Sequence, residues 1–428
     1  LASESAGVGR RKVLSALGVG GVGLAVGAGG VLGAQAAQSA GRQSAAATDS
    51  VPFYGAHQAG ITTAVPDRLH IAAFDVTATT REELISMLKE WTAAIAAMTA
   101  GQEVGGAGSA TDGSYEAPPE DTGEALDLAA SHLTVTVGFG RSLFVDSSGA
   151  DRFGLKDHLP EALIAMPHFP KDALEPERSD GDIVVQACAD DPQVAVHAIR
   201  NLARIAFGTA RVRWSQLGFG RTSSTSTAQI TPRNLFGFKD GTANPKSEDG
   251  AVMDQHVWVR GVSGASAWMN DGTYMVTRRI RMTIETWDRS SLAEQEKVIG
   301  RTKKTGAPLS GGEEFTEPKF DLAGRSGPLI DESSHVAMAH PSRNNGVQML
   351  RRGFNYTDGS DNLGRLDAGL FFIAFVVDPR THYVPMQNAM AKNDLLAEYL
   401  RHTGSGLFAI PGGVADGEYI GQRLFEAV

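Results

Sequence analysis

Apolar positions along this chain recur at two spacings, two residues and three to four residues, and the spacings alternate. Residues 69–76 alternate as a strand does, and Thr80-Arg81-Glu82-Glu83 then forms a capping box. Leu84, Leu88, Trp91, Ile95 and Met98 follow at steps of four and three, one face of a helix. Residues 101–124 are polar and glycine-rich and read as a surface loop. Leu133-Thr134-Val135-Thr136-Val137 alternates as a half-buried strand, and residues 182–188 give another. Asp191-Pro192 starts a second helix, with Ala195, Ile199, Leu202 and Ala206 on one side. Residues 211–218 close the series. The order then repeats: a strand over 274–284 with Val276, Ile280, Met282 and Ile284 on one face, a helix over 290–299, a short strand near 335–338, an apolar strand over 370–377, a helix over 388–401 and a last strand over 406–410. Two β-α-β-β-α-β series predict an α+β protein of two ferredoxin-like domains with antiparallel sheets, over residues 49–222 and 223–428. Folds of this kind host many functions, so function has to come from particular side chains.

Residues 1–48 break the pattern. Gly9-Arg10-Arg11-Lys12 is basic, a Gly/Ala/Val/Leu stretch follows to Gly33, and Ala34-Gln35-Ala36 is a small-x-small site. This is the layout of an export signal followed by a linker, and the paired arginines point to the twin-arginine translocase, which carries folded proteins. Eight glycines between Gly18 and Gly33 make the stretch too weakly apolar for the rival reading, a membrane anchor. Periplasmic or extracellular placement follows, and folding before export suits a protein that loads a cofactor first. Gly18-Val19-Gly20-Gly21-Val22-Gly23 matches a dinucleotide-binding fingerprint, but neither the preceding strand nor the later acidic residue is there.

Composition narrows the chemistry. With 39 basic and 49 acidic side chains the net charge is −10, which argues against a nucleic-acid partner. The single cysteine, Cys188, excludes an intrachain disulfide, a CxxC zinc site and an iron–sulfur cluster, and its strand setting reads as a small buried hydrophobe.

Three segments carry candidate chemistry. Phe236-Gly237-Phe238-Lys239-Asp240-Gly241-Thr242-Ala243-Asn244-Pro245 joins the halves. Asp-Gly and Asn-Pro favour a plain turn; the functional alternative is that two glycines let backbone approach a flat ligand while Asp240 projects into a cavity. His335 and His340 are five residues apart, which is not the helical spacing of a zinc pair. In Leu350-Arg351-Arg352-Gly353 two adjacent arginines either both meet solvent or, on extended chain, point to opposite faces so that one turns inward.

Taken together, Gly237-x-x-Asp240-Gly241, a downstream histidine and Leu350-Arg351-Arg352-Gly353 resemble the dye-decolourising-type haem peroxidases. Residues 53–61 and 300–309 are also similar to that family's exported branch, and the likeness runs from about residue 51 to the C-terminus. The resemblance implies a pair of ferredoxin-like domains with one haem b in the second half. It implies hydrogen peroxide and a reducing substrate, organic or metal, as partners. Exported relatives also serve iron uptake as deferrochelatases, which would add iron-uptake partners.

By the same resemblance, His335 is the ligand to haem iron and Asp378 the acceptor that fixes its second ring nitrogen. Asp240 is the distal acid/base and Arg351 the charge stabiliser. Gly241, Thr242, Ala243, His340 and Pro341 line the haem edge, and Leu370 and Phe372 form an apolar distal wall. The choice of Arg351 over Arg352 rests on the family match. Arg279 and Arg281 are open to two roles, haem propionates or surface acids. Trp268, Trp287, Tyr356 and Tyr383 are the aromatics available to relay electrons to bulky donors. Another branch of the family has an asparagine two residues after the distal arginine; here Gly353 stands there, which leaves Asp240 and Arg351 alone in the distal role.

Overall fold

The computed structural model describes residues 49–108, 114–325 and 327–427, so the export-signal reading of residues 1–48 lies outside the described residues. In the first half, β1 (Arg68–Val76), α1 (Arg81–Thr99), β2 (Thr134–Gly140), β3 (Ile183–Ala189), α2 (Pro192–Ile205) and β4 (Ala210–Arg221) follow the expected order. The local signals act as read. Thr80 accepts from Glu83 N while the Glu83 carboxylate accepts from Thr80 N, the reciprocal cap that opens α1. Asp191 accepts from Gln193 N at 2.7 Å, with Pro192 in the first turn of α2. The faces predicted for both helices are the buried ones, and Trp91 Nε1 donates to Leu202 O across them at 2.9 Å.

The second half comprises β5 (Thr273–Met282), α3 (Leu292–Ile299), α4 (His335–Ala339), β6 (Leu350–Arg351), β7 (Phe354–Ser360), β8 (Leu366–Val376), α5 (Val384–Asn393) and β9 (Leu400–Ile410). Residues 335–338, expected as a strand, are the helix α4. Five residues of alternating pattern cannot distinguish the two, and Asp331 and Ser334 turn the chain into a helix: Asp331 O accepts from Ser334 N, and Met338 N bonds back to Ser334 O. The strand that stands in its place, β7, is half exposed and reads Phe-Asn-Tyr-Thr-Asp-Gly-Ser, too polar to show as one. The last helix also differs: α5 ends at Asn393, Asp394 turns the chain, and β9 begins at Leu400, inside the range expected to be helical.

The sheet runs β5-β9-β2-β3-β1-β4-β7-β8, and β8 pairs back to β5, so the strands close into a ring with β6 beside β7 on the flank of β8. All pairings are antiparallel. Each half contributes four adjacent strands in the order second, third, first, fourth. The halves are stitched by two short seams, Phe408↔Gly140 with Ala409↔Phe139, and Phe219↔Asn355 with Arg221↔Phe354. Because strand side chains alternate, the ring has an inner and an outer face. Ile71, Ala73, Val184, Cys188, Phe371, Ile373, Phe375 and Phe408 fill the inside. Outside, the first half is covered tightly by α1 and α2. On the second half, α4 and α5 stand off, and a cavity of about 240 Å³ lies in that layer.

Candidate functional site

The cavity is built from three directions. Its sheet wall is the outer face of the second half: Ile280 and Met282 of β5, Leu370 and Phe372 of β8, Leu400 and His402 of β9, and Arg351 of β6. The helix wall carries His335 and Ala339 of α4 with Met386 and Met390 of α5. The third side is the segment around Asp240.

That segment is both a turn and a site. Gly237 N donates to Asn234 O at 2.9 Å, Asn234 N to Phe238 O at 3.1 Å, and Arg233 bridges Lys239 as a short antiparallel pair. Gly237 has φ of +81°, where a side chain is strained. Phe236 and Phe238 anchor the hairpin by burying against Trp287, whose Nε1 donates to Phe236 O at 3.1 Å. Asp240 emerges beyond this anchor facing the cavity. Gly241 has φ of +85°, and a Cβ there would lie 2.9 Å from Ser223 Cα, so neighbouring backbone leaves no room for a side chain. Thr242 and Ala243 line the cavity.

The adjacent arginines resolve by strand alternation. Leu350 points into the ring, Arg351 out to the cavity and Arg352 in again. Arg352 is fully buried, bonded to the Thr63 and Ala64 carbonyls and close to Cys188, whose thiol burial pushes up. Arg351 Nη1 donates to Asp240 Oδ1 at 2.7 Å, and the pair is only partly buried. Asn244 fixes the arginine's backbone, accepting from Arg351 N at 2.8 Å and donating to Arg351 O at 3.0 Å. Gly353 has no room for more: a Cβ would meet Thr222 Oγ1 at 2.8 Å and Leu370 Cδ1 at 3.1 Å.

His335 faces this pair from the helix wall, near enough that Asp240 and Arg351 both act on its charge. Its Nδ1 lies 2.7 Å from Asp394 Oδ2. Asp394 is buried, and its other oxygen accepts from Leu396 N at 2.8 Å, so the carboxylate is held from both ends. Burial opposes protonation of the imidazole, but the Asp394 carboxylate outweighs it and raises the pKa above the ordinary histidine value. With Nδ1 committed to Asp394, Nε2 has no hydrogen-bond partner among the described residues, and His335 opens onto the cavity.

Asp378 is not the acceptor the sequence suggested. It caps the short helix Pro379–His382 through Arg380 N at 2.8 Å and pairs with the Arg380 guanidinium, away from the cavity. Apart from Asp378, every site residue expected from the sequence lines the one cavity, including His340 and Pro341. His340 packs on Phe320 and sits 3.2 Å from Glu317. Arg279 and Arg281 meet acids, not the cavity: Arg279 pairs with Asp358 and Asp367, Arg281 with Asp361. Trp268, Trp287, Tyr356 and Tyr383 are all buried, and of these Tyr383 alone reaches the cavity.

Four polar residues of the site escaped sequence reasoning. Asp394 was hidden inside an overlong helix. Asn244 looked like a turn residue, and Asn234 lies just before the segment that drew attention. Arg301, buried in the cavity wall with its guanidinium on Gly306 O and Glu314 O at 2.7 Å each, carries no signal of its own within residues 300–309.

The Dyp-type peroxidase N-terminal family model matches residues 58–220, and the Dyp-type peroxidase C-terminal model matches residues 231–415. The chain belongs to the Dyp-type peroxidase family. It is therefore a haem-dependent peroxidase, with a mixed α+β fold and an antiparallel sheet. A deferrochelatase of Yersinia pestis (strain Nepal516) is 36% identical over 436 residues, spanning 99% of this chain and 96% of the relative. A dye-decolorizing peroxidase of Thermobifida fusca is 37% identical over 385 residues, 87% of this chain and 84% of the relative. The solved structure of ferric DtpA from Streptomyces lividans superposes with a TM-score of 0.79 at 40% identity, covering 89% of this chain and 99% of that one.

Proposed function

We propose that the protein holds one haem b in this cavity and reduces hydrogen peroxide while oxidising an organic or metal donor. The observation that carries this reading is a histidine whose Nδ1 is committed to a buried carboxylate, leaving Nε2 toward an apolar-walled cavity that also holds an aspartate–arginine pair. That donor set fits haem: one neutral imidazole nitrogen for the iron, oriented from behind by a carboxylate, as histidine ligands are. His335 would hold the iron, with Gly241, Thr242, Ala243, His340 and Pro341 along the porphyrin edge and Leu370 and Phe372 against its face. When bound, haem supplies the electrons that cleave the peroxide O–O bond and recovers them one at a time from the donor.

The chain's own side chains supply the rest. Asp240 accepts a proton from one peroxide oxygen and returns it to the other, so that the leaving oxygen departs as water. Arg351, fixed by Asn244 and by Asp240, places a cation beside the oxygen on which negative charge grows. In a site walled by Leu370 and Phe372 such a charge counts for several kcal/mol more than in water. Stopped-flow mixing of the haem-loaded protein with peroxide tests this. A rapid change of the Soret band is expected, slowed at least about 100-fold in Asp240→Asn and in Arg351→Leu. Unchanged rates in both variants would reject the assigned roles.

A second reading, release of iron from haem with the porphyrin intact in an iron-uptake system, is supported by the name of the Yersinia pestis relative. Iron-free porphyrin formed under reducing conditions would favour it. We also read each four-stranded half as one ferredoxin-like domain, on the ground of strand order, and residues 1–48 as a twin-arginine signal that places the protein outside the cytoplasm.

A further inference from the structure

We infer that Asn234 is a positioning residue for the peroxide reaction, holding the Asp240 carboxylate in its working orientation. The inference rests on the reading of Asp240 as the acid/base and deepens it.

Asp240 has two side-chain donors. Arg351 Nη1 takes Oδ1 at 2.7 Å, and Asn234 Nδ2 takes Oδ2 at 3.2 Å. The amide cannot flip, because its own Oδ1 accepts from Phe236 N at 3.1 Å, which leaves only the NH₂ side to face Asp240. Asn234 is itself pinned through its backbone, N to Phe238 O and O from Gly237 N, in a hairpin anchored by Phe236 and Phe238. Asp240 N bonds Pro232 O at 2.9 Å, so the carboxylate's main chain is tied to the same hairpin. The turn residue therefore reaches six positions forward and fixes the carboxylate plane. Arg351 on its strand and Asn234 on its turn hold one oxygen each, and each oxygen keeps lone-pair capacity for a peroxide proton. Without the amide, the carboxylate is free to rotate about its bond to Cβ and to follow the arginine. Other charged groups near the pair are His335 across the cavity, Lys246 beside Arg351, Arg301 in the cavity wall, and Lys239, the residue before Asp240, with its partner Glu314.

A merely structural Asn234 would hold the turn and nothing else, and substitution separates the two roles. Serine and aspartate both keep an oxygen for Phe236 N, but neither offers the amide donor. In the haem-loaded protein, Asn234→Ser should slow the peroxide reaction at least about 10-fold and move the acid limb of its pH profile up by about one unit, since a donor to the charged carboxylate is gone. Asn234→Asp, which faces one carboxylate with another, should move the limb further, with haem content kept. In the haem-free chain, the Asp240 carboxyl carbon, assigned by comparison with Asp240→Asn, should titrate at higher pH in Asn234→Ser by carbon-13 NMR. Limbs unmoved in both variants and a titration unmoved in Asn234→Ser, while Asp240→Asn is slow, would overturn the inference alone. So would lowered thermal stability with an unmoved pH profile. A normal rate in Asp240→Asn would overturn the reading beneath it.

Discussion

Asp394 and Asp378 are both aspartates at the start of a short helical turn, and both use one oxygen to cap a backbone N–H two residues on. What separates them is the second oxygen: on His335 Nδ1 in one case, on Arg380 in the other. Asp394→Ala should therefore strip the imidazole of its anchor and weaken haem retention about 10- to 100-fold, the usual cost of losing such a partner. Transfer of haem to an excess of apomyoglobin measures it. Asp378→Ala should leave that transfer rate unchanged and lower stability by about 1 kcal/mol, the value of a cap, read by urea denaturation. The family resemblance implied Asp378, whose place at the end of an apolar strand equally suits a plain turn residue. Nothing local marked Asp394, since its partner lies 59 residues away. Arg351 was legible only as one of a pair, and alternation on a two-residue strand is what turns it toward the cavity.

At the scale of elements, the site hangs on joins between segments that no periodicity reveals. Asn244 ties the segment after Asp240 to β6 through both the N–H and the C=O of Arg351, and to Ser224 O at 3.1 Å. Asn244→Ala should leave the Arg351 N–H unpaired, at about 1–3 kcal/mol, while Arg351 O keeps the Ser223 hydroxyl and Ser224 O keeps the Lys246 ammonium. The peroxide reaction should slow with it, because the arginine's backbone is freed; stopped-flow rates together with denaturant midpoints check both. The strongly patterned elements, α1, α2 and the apolar strands, were legible because each buries one face or both. Of the misread elements, α4 is five residues long and α5 gives way to Asp394, and both line the cavity; β7 is half polar and lies away from it. Elements that line a hollow lack the continuous apolar stripe that packing against a neighbour demands.

Across the whole molecule, one layer is filled on the first half of the ring and hollow on the second, and the sheet carries a half-buried histidine on each. Burial drives the pKa of His70 on β1 down to about 4, and burial with the Arg278 charge drives that of His402 down to about 3. Unfolded histidines bind protons from about pH 6.5 downward, whereas these folded ones stay neutral until the pH falls to those lower values. Above pH 6.5 neither group affects stability. As the pH falls below it, each costs up to about 1.4 kcal/mol per pH unit until its folded pKa is reached. Thermal midpoints should therefore drop from pH 6.5 toward pH 4, and His70→Gln should flatten that slope by about one proton's worth. An unchanged slope in this variant would show that His70 takes up its proton while folded. The most direct test of the account is haem binding by His335→Ala, followed by absorption as haem is titrated into the folded protein. The account predicts that the unaltered chain saturates at one haem with a sharp Soret band, and that the variant loses this band and regains it with added imidazole. A variant that saturates with the same spectrum and affinity as the unaltered chain would contradict it.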